Sequence, residues 1–475
     1  MSDIKNDSAL TEIFGGKSVS LLGAGVSNMP LARVAAPLCA RLTVRDKKSP
    51  SELGAVADEL VSLGAELITG DGYLDGIDED LVFRSPGIRP DLEPLNEARK
   101  RGSVITSEME LFLSLHPCPV YAITGSDGKT TTTTLTSLLL EPKGSVILGG
   151  NIGEPLLYRY DKIKADDAVA VELSSFQLMT VDAPLDVAAI TNITPNHLNW
   201  HTGMDEYTEA KKNILRHCGR AVLNYDNDVT RTITAEMQKT GTPVTYFSLS
   251  PLPEGLLRGC DSAVWLDGDK VFSLFPGEGL TEIMTRGDIK LPGLHNIANY
   301  LTAIAVTHGM TTPEHIREVA RSFGGVEHRL EFIREKDGVT YINGSIDSSP
   351  TRTAAALSAL SDRPVVLIAG GYDKHIPYEP LADAIFSSTV HAVVLTGDTA
   401  ETIRSCLEKH PDYAAKTADG FRIVMDPDFD SSLTDAAALA KAGDTVILSP
   451  ASASFDHFKN FEERGRHFKS LVNAL

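Results

Sequence analysis

The sequence predicts an α/β protein with three doubly wound blocks. Short apolar runs typical of buried parallel strands alternate with helical patterns along most of its 475 residues. Two blocks open on a strand, a glycine turn and a helix, the order found in nucleotide-binding domains. We expect a Rossmann-like domain at 1–107, a central P-loop domain with a mostly parallel sheet at 108–324, and a second Rossmann-like domain at 325–475.

Composition narrows the class of protein. Hydrophobic residues make up 42% and charged residues 23%, and no apolar run is long enough to span a membrane. The N-terminus lacks the pattern of a signal peptide, and the five cysteines form no Cys-x-x-Cys, as expected in a reducing cytoplasm. The net charge of −20 argues against nucleic-acid or anionic-membrane binding. We expect a cytoplasmic monomer that binds small molecules and is not inserted in a membrane.

The first glycine turn lies near the start of the chain. A strand pattern at 17–22 runs into Gly23-Ala24-Gly25, and the next strand ends at Asp46, about twenty residues further on. Such an opening typically binds a nucleotide diphosphate. Asn28 stands where the full motif has a third glycine, so a purely structural turn is the alternative. Ser85-Pro86-Gly87 follows a later strand, at the end where ligands bind in open α/β sheets.

The second glycine turn, Thr124-Gly125-Ser126-Asp127-Gly128-Lys129-Thr130-Thr131, is the stronger functional signal. It lies between the apolar run 120–123 and a helix, as in a P-loop, whose backbone N–H groups hold phosphates. Lys129 would reach the terminal phosphates, and the Thr130 hydroxyl would bind Mg²⁺. Ile123 replaces the first glycine of the common pattern, so a simple turn is the alternative. The preceding strand and the following helix favour nucleotide binding.

Two polar residues follow strand patterns in the central block. Glu172 comes directly after an apolar strand and is well placed to hold Mg²⁺. The alternative is a helix cap, a role that suits the neighbouring Ser174 and Ser175. His197 follows the strand at 186–190, where either a metal ligand or a structural histidine is possible.

Other local patterns predict individual elements. Residues 262–274 predict an antiparallel hairpin turning at Asp267-Gly268-Asp269, and helices are expected at 29–40 and 205–218. In the third block, apolar runs predict strands at 364–369, 392–395 and 445–448.

Several segments together resemble the Mur ligase family, the ATP-dependent amino-acid ligases of bacterial cell-wall synthesis. They follow in family order along almost the whole chain: 124–131, 150–153, 172–177, 192–198, 293–296 and 328–329. Within the family, the segment Leu448 to Gly465 is most similar to the D-glutamate-adding members. Gly370-Gly371-Tyr372-Asp373-Lys374 and Ser85-Pro86-Gly87-Ile88 agree with this.

The resemblance implies a reaction. Its substrates would be UDP-N-acetylmuramoyl-L-alanine, D-glutamate and ATP, and its products the extended peptidoglycan precursor, ADP and phosphate. It would pass through an acyl phosphate and a tetrahedral intermediate, with Mg²⁺ at two sites. The alternatives are a family member that adds another amino acid, a folylpolyglutamate synthase, or a non-catalytic nucleotide-binding homologue.

The resemblance also implies roles for individual residues. The catalytic residues would be Lys129, Glu172, His197 and Lys211. ATP would be bound by Gly125, Ser126, Asp127, Gly128, Lys129, Thr130, Thr131, Asn296 and Arg329. The UDP substrate would be bound by Gly23, Gly25, Ser27, Asp46, Ser85, Pro86, Gly87 and Asn151. D-glutamate would be bound by Lys374, Ser454 and Phe461. The metal ligands would be Thr130, Glu172, His197 and a carbamylated Lys211.

Lys211 is the least obvious of these residues. By pattern alone, Lys211 and Lys212 are surface lysines on a helix. In the family, the lysine of a Tyr-x-x-Ala-Lys stretch is carbamylated, and Tyr207-Thr208-Glu209-Ala210-Lys211 matches that stretch. Lys212 points about 100° further around the helix and should not replace it.

The chain departs from the family at four positions. Asn196 and Asn199 stand where aspartate is common, and Ile346 stands where some relatives have lysine. Gly344 also replaces an aspartate, which removes a carboxylate from the ATP or amino-acid site. The sequence leaves open whether Asp347 compensates for it.

Overall fold

The computed structural model describes residues 4–25, 27–153, 155–198, 200–257, 262–291, 293–360, 363–373 and 376–475. The chain divides into two compact units, residues 1–322 and 323–475. Unit 1 contains two of the three sheets and unit 2 the third. The predicted α/β class with three mostly parallel sheets is thereby confirmed, while the division into domains at 107 and 324 remains a prediction.

The first sheet of unit 1 is parallel throughout, in the order β3-β2-β1-β4-β5. Its strands are β1 Ser18–Leu22, β2 Arg41–Asp46, β3 Glu66–Thr69, β4 Leu81–Arg84 and β5 Val104–Thr106. The helices of this region are α1 Ile4–Phe14, α2 Asn28–Ala35, α3 Pro50–Leu53, α4 Ala55–Ser62, α5 Glu93–Arg101 and α6 Glu108–Leu115. The helix expected at 29–40 is shorter than predicted, because Pro37 has no N–H to continue the hydrogen-bond ladder.

The second sheet of unit 1 has nine strands in the order β14-β13-β12-β11-β10-β9-β6-β8-β7. The strands are β6 Val120–Thr124, β7 Val146–Gly150, β8 Ala168–Glu172, β9 Leu185–Ile190, β10 Cys218–Asn224, β11 Val244–Ser248, β12 Ser262–Asp267, β13 Lys270–Phe275 and β14 Gly279–Thr285. Its antiparallel pairs are β12–β13 and β13–β14, and the first of them confirms the predicted hairpin.

Seven helices accompany the second sheet in the described residues. They are α7 Lys129–Leu140, α8 Ser175–Leu178, α9 Met204–Lys212, α10 Asp228–Thr240, α11 Glu254–Leu257, α12 Leu294–Val306 and α13 Pro313–Ser322. The helix predicted at 205–218 was too long at its C-terminal end. Cys218 is buried and starts β10, where it pairs with Leu185. Among the described residues, no helix combines the length and apolarity needed to cross a membrane.

Unit 2 has a six-stranded sheet in the order β15-β16-β20-β17-β18-β19, in which the β15–β16 pair is antiparallel. The strands are β15 Glu331–Lys336, β16 Val339–Asn343, β17 Val365–Gly370, β18 Val390–Thr396, β19 Arg422–Met425 and β20 Thr445–Leu448. The helices are α14 Pro350–Ala359, α15 Glu379–Ser387, α16 Ala400–Lys409, α17 Tyr413–Ala418, α18 Phe429–Leu439 and α19 Phe461–Ala474. The three strands predicted for the third block are β17, β18 and β20.

Burial explains the strand patterns that the sequence displays. Every residue of β6 and of β17 is buried, as expected for central strands of a parallel sheet covered on both faces. One apolar core runs through both sheets of unit 1 and includes Phe83 of the first sheet and Ala122 of the second.

Parallel strands also bring the polar loops together. In the first sheet the strand order reverses between β1 and β4, so the loops at Gly23 and Ser85 are neighbours. In the second sheet β6 lies between β8 and β9, so the P-loop, Glu172 and the segment that starts at Thr191 share one edge.

Candidate active site

The P-loop needs glycine at two positions because other residues approach its backbone closely. A Cβ atom on Gly125 would lie 1.8 Å from Thr191 Oγ1. A Cβ atom on Gly128, which has a left-handed φ of 78°, would lie 2.3 Å from Asn299 Oδ1. Any side chain at either position would displace a neighbour and change the shape of the loop.

The segment after β9 holds the P-loop from one side. Thr191 Oγ1 donates to the Asp127 carbonyl at 2.6 Å, and the Asp127 N–H donates to Asn192 Oδ1 at 3.0 Å. Ser126 Oγ lies 2.9 Å from the hydroxyl of Tyr207 on α9. These supports are not part of the P-loop pattern and become visible only when the strands are assembled.

Lys129 begins α7 and folds back over the loop. Its Nζ donates to the carbonyl oxygens of Gly125 and Ser126, at 2.9 and 2.8 Å. Thr130, the predicted Mg²⁺ ligand, is buried at the same helix N-terminus. A positively charged amine beside a helix N-terminus is a suitable place for phosphate oxygens.

Lys211 is buried, contrary to what its helical pattern suggests. Its Nζ donates to the Gly125 carbonyl at 2.7 Å and lies 4.7 Å from the ring centre of Tyr207. Burial, aided by the nearby charge of Lys129, lowers the pKa of Lys211 to about 6. The side chain is therefore mostly a neutral amine at neutral pH.

Lys212 has a different environment. Its Nζ forms ion pairs with Glu209 at 2.8 Å and Glu236 at 2.7 Å. These partners raise the pKa of Lys212 against the opposing effect of partial burial. Two adjacent lysines thus differ in charge state because they lie on different sides of α9.

Glu172 is buried at the end of β8, and one of its two carboxylate oxygens is hydrogen-bonded. Oε1 accepts a hydrogen bond from Asn151 Nδ2 at 2.8 Å, whereas Oε2 is buried and has no hydrogen-bond partner. An unsatisfied buried carboxylate oxygen is costly unless a cation occupies the site. Ser174 caps α8 through a capping box with Gln177, so the predicted helix cap exists beside the candidate ligand.

His197 lies in the loop after β9 with a left-handed φ of 55°. Its N–H donates to Asn196 Oδ1 at 2.9 Å, and its ring centre is 5.0 Å from that of Phe176. Partial burial, aided by the charge of Lys129, lowers the pKa of His197, which favours the neutral form that can bind a metal. Asn199, the second departure in this loop, lies outside the described residues.

A buried histidine connects this region to the first sheet. His201 Nε2 lies 2.9 Å from Ser175 Oγ, and its Nδ1 lies 3.0 Å from Glu206 Oε1. Arg89 binds both oxygens of Glu206, at 2.9 and 3.1 Å. The pKa of Glu206 falls to about 2, chiefly through the Arg89 hydrogen bonds. Sequence analysis did not identify His201, Glu206 or Arg89 as part of the site.

In the first sheet, three of the predicted UDP-binding residues, Gly23, Asp46 and Ser85, lie around the glycine turn. A Cβ atom on Gly23 would lie 2.6 Å from Ser85 Oγ. Asp46 accepts from the Ala24 and Lys48 N–H groups, at 2.7 and 2.8 Å, and therefore stabilises the glycine turn itself. The remaining residues of this predicted set are partly buried or exposed: Gly25, Ser27, Pro86, Gly87 and Asn151.

In unit 2, a buried arginine binds residues that neighbour or contact the predicted Ser454 and Phe461. Arg464 donates to the Ser345 and Ala453 carbonyl oxygens, at 2.9 and 2.8 Å. Ser454 follows Ala453 and is buried, and the Phe461 carbonyl accepts from Ser345 Oγ at 2.8 Å. Lys374 lies outside the described residues, so its predicted contact with D-glutamate is not located.

The predicted Arg329 is exposed and follows the buried His328. His328 with Glu327 and Glu331 forms a group whose ligand atoms lie within 4.8 Å of one another. The Glu331 carboxylate already accepts from the His328 N–H at 3.0 Å and pairs with Lys469. These bonds favour a structural role for the group over metal binding.

Comparisons with known proteins identify the family to which the chain is similar. The family model of the Mur ligase middle domain matches residues 123–307, and that of the Mur ligase glutamate ligase domain matches 328–452. Relatives named UDP-N-acetylmuramoylalanine--D-glutamate ligase from Acetivibrio thermocellus and Clostridium novyi are each 44% identical over 465 residues, covering 97% of both chains. The relative of that name from Clostridium perfringens is 43% identical and covers 98% of both chains. The chain belongs to the Mur ligase family.

Solved structures of Mur ligases share the fold. The UDP-N-acetylmuramate-alanine ligase of Thermotoga maritima aligns with a TM-score of 0.51 at 16% identity, over 96% of this chain and 99% of its own. A UDP-N-acetylmuramoyl-L-alanyl-D-glutamate--2,6-diaminopimelate ligase aligns with a TM-score of 0.53 at 18% identity, over 98% and 93%. At these identities the similarity concerns the fold alone.

In this Mur ligase chain, part of the predicted ATP set converges at one edge of the second sheet. Gly125, Ser126, Asp127, Gly128, Lys129, Thr130 and Thr131 form the loop and the start of α7. Asn296 is the third residue of α12, where its Oδ1 accepts from Asn299 Nδ2 at 3.4 Å. Asn299 in turn accepts from Thr132 Oγ1 at 3.2 Å, which links α12 to α7.

Proposed function

We propose that the chain is an ATP-dependent ligase that joins D-glutamate to UDP-N-acetylmuramoyl-L-alanine, releasing ADP and phosphate. The observation that carries this proposal is the match, at 44% identity over 97% of the chain, to relatives named for that activity. Three features support it further: the P-loop with Lys129, the buried Lys211, and Glu172, which has one buried carboxylate oxygen without a hydrogen-bond partner.

The alanine carboxylate is a poor acyl donor, so the proposed reaction must first activate it. The alanine carboxylate first attacks the γ-phosphorus of ATP, which forms a C–O–P bond and expels ADP. The D-glutamate amine then adds to the acyl phosphate, and the tetrahedral intermediate releases phosphate. Lys129 and the N–H groups of the loop neutralise charge on the transferred phosphoryl group and hold it in line.

A metal ion suits the edge of the second sheet because of the donor atoms present. Thr130, Glu172 and His197 would hold Mg²⁺, and Glu172 Oε2 is a buried oxygen without a partner. When bound, Mg²⁺ neutralises phosphate charge. We expect two such ions, as the family resemblance implies.

Lys211 would complete the metal-binding set as a carbamate. Its neutral Nζ lone pair attacks the carbon of CO₂, an N–C bond forms, and one proton is released to solvent. The product is an anion where an ammonium would repel a cation. The low pKa of Lys211 supports this step, because only the unprotonated amine is nucleophilic.

The remaining ligands are assigned by resemblance. Gly23, Gly25, Ser27, Asp46 and the 85–87 loop would bind the UDP substrate, with Asn151 contributing from the second sheet. Lys374, Ser454 and Phe461 would bind D-glutamate, and Asn296 and Arg329 would bind ATP. The corresponding domains would be 1–107, 108–324 and 325–475, in a cytoplasmic monomer.

One assay tests the proposal. ADP release by the purified chain should require both UDP-N-acetylmuramoyl-L-alanine and D-glutamate. Release with meso-diaminopimelate or lysine instead of D-glutamate would indicate another member of the family, and release with a folate substrate would indicate folylpolyglutamate synthesis. ATP binding without any release would indicate a non-catalytic homologue.

A further inference from the structure

A continuous set of contacts joins the 85–87 loop of the first sheet to the P-loop of the second. Its centre is Arg89, two residues after that loop. The Arg89 guanidinium donates to both carboxylate oxygens of Glu206, at 2.9 and 3.1 Å, and to the Trp200 carbonyl at 2.8 Å. Glu206 lies in the first turn of α9, and Trp200 lies in the loop that precedes this helix. Arg89 therefore binds the element that carries Lys211.

Further contacts lead from Arg89 and Trp200 back to the loop of the first sheet. Trp200 Nε1 donates to the Gly87 carbonyl at 3.1 Å, and the Arg89 guanidinium carbon lies 5.0 Å from the centre of the Trp200 ring. The guanidinium also binds both oxygens of Asp91, at 2.9 and 2.7 Å. Because only 20% of the Arg89 side chain is exposed, these bonds are partly shielded from solvent. The segment 87–91 is thereby fixed against the loop before α9.

Helix α9 in turn contacts the P-loop. The hydroxyl of Tyr207 lies 2.9 Å from Ser126 Oγ, and Lys211 Nζ donates to the Gly125 carbonyl at 2.7 Å. Tyr207 and Lys211 are both buried. Because a short helix moves as one hydrogen-bonded body, a displacement of Glu206 also displaces the two side chains that bind the P-loop.

We propose that Arg89 is a positioning residue that couples the two ligand sites of unit 1. The inference rests on the proposed function, in which the 85–87 loop binds the UDP substrate and the P-loop binds ATP. A ligand at either loop orders the contacts that the two loops share, which lowers the entropy cost of binding at the other loop. Each ligand should therefore strengthen binding of the other, and this effect should depend on the bonds of Arg89 to Glu206 and Trp200.

A separate contact joins the two sheets and should keep variants of Arg89 folded. Arg84 on β4 is buried, and its guanidinium donates to the Phe176 carbonyl at 3.1 Å and to Thr180 Oγ1 at 3.0 Å. Arg89→Gln removes the charge and the paired bonds to Glu206, but it leaves these contacts and the apolar core that runs through both sheets. We expect its thermal midpoint to be close to that of the wild type.

The first test measures binding of a non-hydrolysable ATP analogue with Mg²⁺, with and without saturating UDP-N-acetylmuramoyl-L-alanine. In the wild type, we expect the UDP substrate to strengthen analogue binding about tenfold, and in Arg89→Gln only about twofold. Arg33→Gln is the matched control, because Arg33 also binds both oxygens of a glutamate, Glu59, at an exposed position on α2. It should keep the wild-type effect. No coupling in the wild type, or full coupling in Arg89→Gln, would overturn the inference.

The second test follows the route on both sides of Arg89. Trp200→Phe keeps an aromatic ring beside Phe176 but lacks the Nε1 donor to Gly87, so it should also lose most of the coupling. Full coupling in Trp200→Phe would contradict the route. Glu206→Gln combined with Arg89→Gln should retain the same residual coupling as either single variant, because the bond between the two side chains can be lost only once. A further loss in the double variant would show that they act separately, which the proposal excludes.

ADP release separates this inference from the proposed function. If the wild type shows no D-glutamate-dependent ADP release, the proposed function fails, whatever the variants do. The binding measurements still test Arg89, because they need no turnover, and a UDP substrate that does not bind or does not strengthen analogue binding would overturn the coupling. Normal ADP release with equal coupling in the wild type and in Arg89→Gln would overturn the inference alone.

Discussion

The side-chain nitrogen of Lys211 lies 2.7 Å from the carbonyl oxygen of Gly125, and that of Lys129 lies 2.9 Å from the same oxygen. Two ammonium groups this close repel each other, and the buried one loses its proton more easily. Lys129 is partly exposed and Lys211 is buried, so Lys211 is the one with the strongly lowered pKa. A charged lysine and a mostly neutral lysine thus share one carbonyl oxygen as a hydrogen-bond partner.

Replacing Lys211 should remove activity, whereas replacing Lys212 should not. Lys211→Ala deletes the proposed carbamate, and we expect ADP release to fall by about 100-fold. Lys212→Ala loses only surface ion pairs and should retain most activity. Electron density at Lys211 should extend beyond Nζ in the nucleotide-bound enzyme. An unmodified Lys211 far from any metal in that state would refute the assignment.

Lys129→Ala should abolish ADP formation without unfolding the protein. The amine donates to two carbonyl oxygens of its own loop, so we expect its loss to remove charge stabilisation and little packing. We expect a decrease in kcat of about 1,000-fold with a nearly unchanged thermal midpoint. Lys143→Ala, at an exposed position after α7, is the control. Normal turnover in Lys129→Ala would mean that ATP binds elsewhere.

Lys374→Ala should affect one substrate selectively. A lost charge-assisted contact to a substrate carboxylate should raise the KM for D-glutamate by about 10- to 100-fold. The KM for UDP-N-acetylmuramoyl-L-alanine should change little, and the control Lys416→Ala, at a partly exposed position on α17, should change neither KM. Equal increases for both substrates would assign Lys374 a structural role instead.

Glu108 should make the stability of unit 1 depend on pH. It is buried, and its Oε1 accepts from the Leu157 N–H at 2.7 Å. Burial raises its pKa from 4.5 to about 7 in the folded protein. Because the folded-state pKa is the higher one, the cost of ionising Glu108 is absent below about pH 4.5, grows as the pH rises, and is complete above about pH 7.

Glu108→Gln should therefore stabilise the protein only at higher pH. Glutamine can accept the same hydrogen bond without carrying a charge. We expect its free energy of unfolding to exceed that of the wild type by up to about 3 kcal/mol at pH 8 and to be similar at pH 4.5. Urea midpoints at the two pH values measure the difference. A gain of equal size at both pH values would show that ionisation is not the cause.

The sequence predicted most strands of the fold from short-range patterns. The runs at β6, β17 and β20 are apolar because parallel strands are covered on both faces, and the hairpin at Asp267-Gly268-Asp269 has its own turn signal. Helix ends were less predictable. The start of β10 at Cys218 is set by pairing with Leu185, which is distant in sequence.

The sequence by itself determined the parts of the site whose chemistry is local. Gly125, Gly128 and Lys129 lie in one short loop between a strand and a helix, where backbone conformation and residue spacing are enough to predict phosphate binding. Glu172 and His197 were predicted as metal ligands because each follows a strand pattern, and both assignments remain predictions.

The tertiary structure decided the contacts, the burial and the charge state of the remaining residues. Lys211 is 86 residues from Gly125 in sequence, and only the packing of α9 against the loop buries it and lowers its pKa. Folding likewise places His201 within hydrogen-bond distance of Ser175 and places the Asp347 carboxylate next to Gly344. Burial and electrostatic fields depend on all neighbours in space, and no pattern along the chain contains that information.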